Sequence, residues 1–192
     1  LIKKNFPDAI LSCDSFRESV ITKSLEHGIH IVNDISAGKL DAKMLETVGR
    51  YCVPYIMMHM RGTPQTMKSL NDYTNLIVEM NTYFAQRIHA ARAAGIKDIV
   101  IDPGIGFAKN IDQNFHVLKN LELLHCHNVP ILMGISRKSM IYKTLNINAV
   151  DSLNGTTALH MKCLEYGASI LRVHDVKEAV QAIQLHQMIQ KN

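Results

Sequence analysis

Ile99-Val100-Ile101-Asp102-Pro103-Gly104-Ile105-Gly106-Phe107 is the stretch on which the fold turns. Three β-branched residues in a row suit a strand buried on both faces, the condition of strands in a parallel sheet. The run then ends on a carboxylate, and two glycines follow that let the backbone turn tightly beside a ligand. The same order, apolar run and then polar exit, recurs five times. Ala9-Ile10-Leu11-Ser12-Cys13 ends on Asp14, and Ile29-His30-Ile31-Val32 ends on Asn33-Asp34. Tyr55-Ile56-Met57-Met58 ends on His59 and Arg61, and Ile131-Leu132-Met133-Gly134-Ile135 ends on Ser136-Arg137-Lys138. Ile170-Leu171 ends on Arg172-Val173-His174-Asp175. A plain core strand needs no polar exit. Functional side chains gathered at the C-terminal ends of consecutive strands suit a (β/α) barrel, whose sites lie at that face.

The segments between the runs are amphipathic: 16–27, 41–52, 72–94, 113–127, 153–166 and 176–190. In the third, Ile77, Met80, Phe84 and Ile88 stand near helical spacing. Gly28, Gly95 and Gly167 each stand directly before a strand run, where a helix C-terminus favours positive φ. Pro54 and Pro130 are expected to stop the helices before the other strands. The pattern predicts an α/β chain of the TIM-type (β/α)8 barrel class. Such a barrel takes eight strand–helix units and typically about 250 residues. With six units, 192 residues and no initiator Met, the expectation is a fragment with about six of the eight units. Residues 1–192 would form a single domain, the C-terminal three quarters of the barrel.

Composition narrows the function. The chain is 47% hydrophobic and 20% charged, ordinary for a globular protein with one sizeable core. No apolar run is long enough to span a bilayer. The four cysteines, Cys13, Cys52, Cys126 and Cys163, form no Cys-x-x-Cys pair. They read as reduced thiols of a cytoplasmic protein. A net charge of +4 comes without a basic block, which argues against nucleic acid and suits an anionic small molecule.

Each polar exit has a bland reading beside its functional one. Asp102 can cap a tight turn, and Asp14 and Asn33 can cap helices. Facing one mouth, these three could instead meet the donor and acceptor edges of a heterocycle. Ser136-Arg137-Lys138-Ser139 offers two cations and two hydroxyls for a carboxylate, carbonyl or phosphate, or is a solvated basic turn. Alternation puts Arg172 and His174 on one side of the last strand, where a guanidinium can stack on a ring or bind an anion. His125-Cys126-His127 has no second ligand pair after it, which argues against a metal site.

The ordered set Asp14-Ser15, Asn33-Asp34, Met58-His59-Met60, 102–107, 136–139 and 172–175 resembles the dihydropteroate synthases over essentially the whole chain. The resemblance implies condensation of 6-hydroxymethyl-7,8-dihydropterin pyrophosphate with p-aminobenzoate in folate synthesis, releasing pyrophosphate. Asp102, Lys138 and Arg172 would be the catalytic residues. Asp14, Asn33, Met58, Asp102, Phe107, Lys138 and Arg172 would hold the pterin, with Met57 and Met58 as apolar walls. Arg172 and His174 would line the pyrophosphate pocket, and Phe107 and Ser136 the p-aminobenzoate site. The family uses Mg2+, whose ligands the resemblance puts outside these residues, and the enzymes are expected as homodimers. A methyltetrahydrofolate–corrinoid methyltransferase shares the Asp and Asn but has no use for the 136–138 and 172–174 cations. A non-catalytic pterin-binding barrel fragment is the other alternative.

Overall fold

The computed structural model describes residues 1–191, the side chain of Lys68 excepted. Six parallel strands follow one another in sequence order: β1 (Ser12–Asp14), β2 (Ile31–Asp34), β3 (Tyr55–Met58), β4 (Ile99–Asp102), β5 (Leu132–Met133) and β6 (Ile170–Leu171). β1 to β4 form one ladder and β5 pairs with β6. A parallel bridge between Ile101 and Ile131 joins the two groups. The helices are α1 (Ile2–Asn5), α2 (Glu18–Glu26), α3 (Met44–Tyr51), α4 (Leu76–Ala93), α5 (Ile111–Lys119), α6 (Ser139–Tyr142), α7 (Leu153–Glu165) and α8 (Val176–Lys191). A parallel sheet wound in one direction with a helix after each strand is the winding of a TIM-type (β/α)8 barrel, and six consecutive units are present here.

Strand alternation divides the apolar residues into two layers. Val32, Tyr55, Met57, Ile99, Ile101, Ile131 and Met133 join helix residues such as Ile21, Val48, Met80, Phe84 and Val117 in the main core. Their sheet neighbours Ile31, Ile56, Val100 and Leu132 form a separate inner layer. Two residues further along the same strands stand Asn33, Met58, Asp102 and Gly134, so the inner layer is the floor beneath the site. Burying Ile56, Val100 and Leu132 is worth about 1.5–3 kcal/mol each, with half-buried Ile31 packed against them, so the floor is a stable platform. β3, β4 and β5 are buried at every residue, as a two-faced parallel strand requires. β1 and β6 depart from that expectation: Ser12, Asp14 and Ile170 are exposed, because each of these strands pairs on one side alone.

Gly28, Gly95 and Gly167 have φ of 82°, 88° and 86°, the left-handed conformation expected after their helices. The helix stops before β3 and β5 differ from the expectation. Cys52 and Asn128, with φ of 55° and 52°, take the left-handed position, and Pro54 and Pro130 stand two residues beyond. The helix expected over 113–127 is also split. Asn110 and Gln113 close a capping box that starts α5 at Ile111. Asn120 then ends it, its side-chain amide donating to the His116 carbonyl at 2.8 Å, and a 3₁₀ turn, Leu121–His127, follows. α4 starts at Leu76 rather than Asp72 because Asn75 caps it, accepting from the Val78 N–H, while Glu79 accepts from the N–H groups of Thr74 and Asn75. Among the described residues no helix is long and apolar enough to cross a membrane.

Candidate active site

The Asp102 carboxylate, 1% exposed at the end of β4, is divided between two donors. Oδ1 accepts from the Gly104 N–H at 2.8 Å, which makes the turn that the bland reading expected. Oδ2 accepts from Arg172 Nη2 at 2.5 Å, and Arg172 Nη1 donates to Asn33 Oδ1 at 3.2 Å. One planar guanidinium thus bridges the ends of β2 and β4 from the exit of β6. Gly134 leaves room for it: a Cβ there would lie 2.8 Å from Nη2. The guanidinium is 42% exposed, so water screens the pair from one side. Asp14 is in register with Asn33 on the neighbouring strand and is itself exposed.

Lys138 reaches across from the exit of β5. Its Nζ donates to the Ile105 carbonyl and stands 4.9 Å from the centre of the Phe107 ring. Burial lowers its pKa to about 8; Asp102 opposes that shift and Arg172 adds to it. Phe107, Met58, Met60 and Ala108 pack as an apolar wall on the same side. Met57 does not belong to that wall: it faces the helices in the main core, because alternation turns it away from Met58.

One further expectation needs correction. Arg137 does not join Lys138 as a second site cation. At φ of 52° its side chain turns outward, donates to both Asp175 oxygens at 2.8 and 2.9 Å, and also reaches the Ala149 and Val150 carbonyls. It ties the exit of β5 to the exit of β6. Ser136 is buried, and its Oγ lies 2.9 Å from His174 Nδ1 while accepting from the His174 N–H at 3.3 Å. The structure therefore brings together Ser136 and His174, which the sequence assigned to separate subsites. His127 Nε2 lies 3.0 Å from Asn81 Oδ1, and His125 Nε2 lies 3.2 Å from the Tyr166 carbonyl, so these neighbouring imidazoles are engaged with different elements.

Sequence reasoning missed three supports. Asp34 is fully buried and accepts from Ser36 N and Oγ, Gly38 N and Tyr55 Oη, all at 2.6–2.7 Å, which folds the turn after β2. Tyr83 donates to the Met58 carbonyl at 2.9 Å. Lys109 is buried behind the 102–107 turn, where a lysine beside a helix cap reads as solvated. Only Asp34 left a signal, as the second polar residue in the Asn33-Asp34 exit. Among the described residues no group of three or more His, Cys, Asp or Glu side chains could hold a metal ion. Asp102 stands at the site without such a set of carboxylates and imidazoles beside it, so these residues by themselves do not fit a Mg2+ centre.

The ends of these parallel strands bring a carboxylate, an amide and a guanidinium together, with a lysine and an aromatic ring beside them, the mouth chemistry of an α/β-barrel protein suited to a planar polar ring. The chain belongs to the pterin binding enzyme family, whose model matches residues 1–174. It is 38% identical over 177 residues to the dihydropteroate synthase of Escherichia coli (strain K12), covering 91% of this chain. It spans 62% of that relative's length. The Yersinia pestis dihydropteroate synthase in complex with a sulfonamide drug superposes with a TM-score of 0.92 at 36% identity, over 96% of this chain and 68% of that one. The Thermus thermophilus dihydropteroate synthase in complex with 4-aminobenzoate gives 0.90 at 28% identity, over 94% and 70%.

Proposed function

We propose that this protein acts as a dihydropteroate synthase, joining p-aminobenzoate to 6-hydroxymethyl-7,8-dihydropterin pyrophosphate. The observation that carries the reading is the bridge from Arg172 to Asn33 and Asp102. Two acceptors from separate strands are spaced to meet two N–H groups of one flat N–C–N edge. The guanidinium fills that role in the free protein. A pterin's amino-pyrimidinone edge presents the same flat arrangement of donors, and would take it over with Arg172 turned onto the ring face. Lys138 would then donate to the ring carbonyl, and Phe107 and Met58 would line the ring's apolar side.

The chemistry follows from charge. As the methylene C–O bond breaks, its electron pair leaves with pyrophosphate and positive charge spreads into the dihydropterin. The anionic Asp102 at the ring edge favours that developing cation. The arylamine nitrogen attacks the methylene, forms the new C–N bond and sheds a proton, so no protein nucleophile is required. Arg172 and His174 would face the departing pyrophosphate, and Ser136 and Phe107 the p-aminobenzoate. The subunits are expected to pair as a homodimer in the cytoplasm.

The test is Asp102→Asn, which keeps size but removes the charge and one acceptor. An unpaired buried donor costs about 1–3 kcal/mol, and more where charge is involved, so pterin-pyrophosphate affinity or turnover should fall at least tenfold. Calorimetry and a pyrophosphate-release assay that both return wild-type values would take Asp102 out of the site. Pterin binding without any release would favour the binding-only alternative.

A further inference from the structure

The 102–107 turn carries Asp102 and Phe107, and its Phe107, Gly104 and Gly106 N–H groups donate to the Gly104 carbonyl, Asp102 and Asn114 in turn; the Gly104 and Phe107 carbonyls turn to a side chain outside it. It rests on Lys109, a residue with no part in the chemistry above. Lys109 is 8% exposed, and its three donor positions all point inward. Nζ lies 3.2 Å from the Gly104 carbonyl, 3.2 Å from the Phe107 carbonyl and 3.0 Å from His59 Nδ1. The two carbonyls belong to one turn and converge on one nitrogen. His59 is fixed in its place by Tyr83, edge-on at 4.9 Å. Gly104, at φ of 71°, sits so close that a Cβ would come within 2.5 Å of the His59 carbonyl oxygen. Tyr73 adds a tie, donating to the Ala108 carbonyl at 2.8 Å.

We propose that Lys109 is a positioning residue, a clamp that seats the Gly104–Phe107 backbone on His59 and so sets where Asp102 and Phe107 meet the pterin. This rests on the reading of the pocket given above. The clamp works by geometry more than by charge. Burial lowers the pKa of Lys109 to about 7, with Asp102 opposing and Lys138 adding, and lowers that of His59 to about 2, with Lys109, Arg61 and Lys39 adding. His59 is therefore neutral. A charged Lys109 donates to all three partners. A neutral one donates to the two carbonyls and accepts from His59 in its other tautomer. Every contact survives loss of the proton.

Lys109→Met keeps length and removes the donors. The substitution leaves the Gly104 and Phe107 carbonyls and the His59 imidazole without their buried donor, which also lowers global stability, so loop order is read against amides elsewhere in the fold. Expected for the whole chain are a lower urea midpoint and amide exchange at Gly104–Ala108 accelerated at least tenfold more than at the amides of β3 and β4. Affinity for 6-hydroxymethylpterin, used as the probe, should fall at least tenfold, and Lys109→Arg should restore part of both. Unchanged exchange at these amides in the folded variant overturns the clamp whatever the pocket binds. Faster exchange with unchanged pterin affinity overturns its positioning role. A wild-type protein that binds no pterin defeats the proposed function, while the exchange measurement still judges the clamp. Should Lys109→Met not fold, His59→Asn removes the imidazole partner, and the absence of any faster exchange at the same amides overturns the proposal.

Discussion

Arg172 and Asp102 stand 2.5 Å apart, so a ring that claims Asp102 Oδ2 must first displace the guanidinium. The displaced group is planar and can stack on the ring while meeting phosphate oxygens. Arg172→Lys keeps the charge but loses both the fork and the stacking surface. It should weaken binding of pterin pyrophosphate much more than binding of a pterin without phosphates. His174→Ala should share that bias, and Lys138→Ala should weaken both ligands. Equal losses for the two pterins in Arg172→Lys, with no pyrophosphate released on adding p-aminobenzoate, would move the methyltransferase or binding-only readings ahead. Lys138 also adds a pH dependence. Its folded-state pKa of about 8 lies below its ordinary 10.5. Between those values the unfolded chain holds a proton that the folded one lacks, so this group's contribution to stability rises with pH across that window. Ligand binding runs the opposite way, because the charged donor is lost as pH rises through about 8. The groups facing Lys138 are Asp102, Arg172, Lys109, the Ile105 carbonyl and the Phe107 ring. Pterin affinity measured by calorimetry should therefore decline above about pH 8, and Lys138→Arg, always charged, should remove that decline.

At the scale of elements, the site depends on how closely α3 and α4 approach behind β2 and β3. Gly49 of α3 lies against the end of α4, where an added Cβ would come within 1.9 Å of the Ala94 carbonyl oxygen. That atom is backbone and cannot swing aside as a side-chain tip would. Gly49→Ala should force the helices apart and cost about 1–3 kcal/mol, the usual range for overpacking. The helix gain from replacing glycine, about 1 kcal/mol, offsets only part of that. Urea unfolding would read the loss, and a variant as stable as wild type would mean that the crossing is softer than it looks. Such close contacts also explain which element boundaries the sequence hid. The amphipathic period shows that 113–127 is apolar on one side. It does not show that the Asn120 side chain bonds back to His116 and breaks the helix there. Nor does it show that Cys52 adopts positive φ ahead of Pro54, since cysteine has no preference for that conformation; Asn128, of a residue type that does tolerate it, left a weak signal ahead of Pro130.

Taken as a whole, the molecule leaves apolar surface on one face of α8, where Leu185 and Ile189, a helical turn apart, are exposed. Leu153 and Met161 of α7 line the same groove beside Leu185. A homodimer formed through these two helices would cover that surface. Leu185→Glu should then shift sedimentation toward monomer without changing the circular dichroism spectrum; an unchanged sedimentation profile would exclude this face. The sequence by itself determined the winding, because β-branched runs alternate with amphipathic segments and each run carries its polar exit at the same end. It also determined which residues crowd that end: Asp14, Asn33, Asp102, Lys138, Arg172 and His174 can all be read from strand ends alone. Tertiary structure alone decided the partners. Arg137 and Lys138 are adjacent cations, and only the packed loops send one to Asp175 and the other to the site. Ser136 meets His174 across 38 residues of chain, and Lys109 meets His59 across 50. Period and propensity act over a few residues, whereas these pairings depend on how distant loops stack at the barrel mouth, so no local pattern in the sequence encodes them.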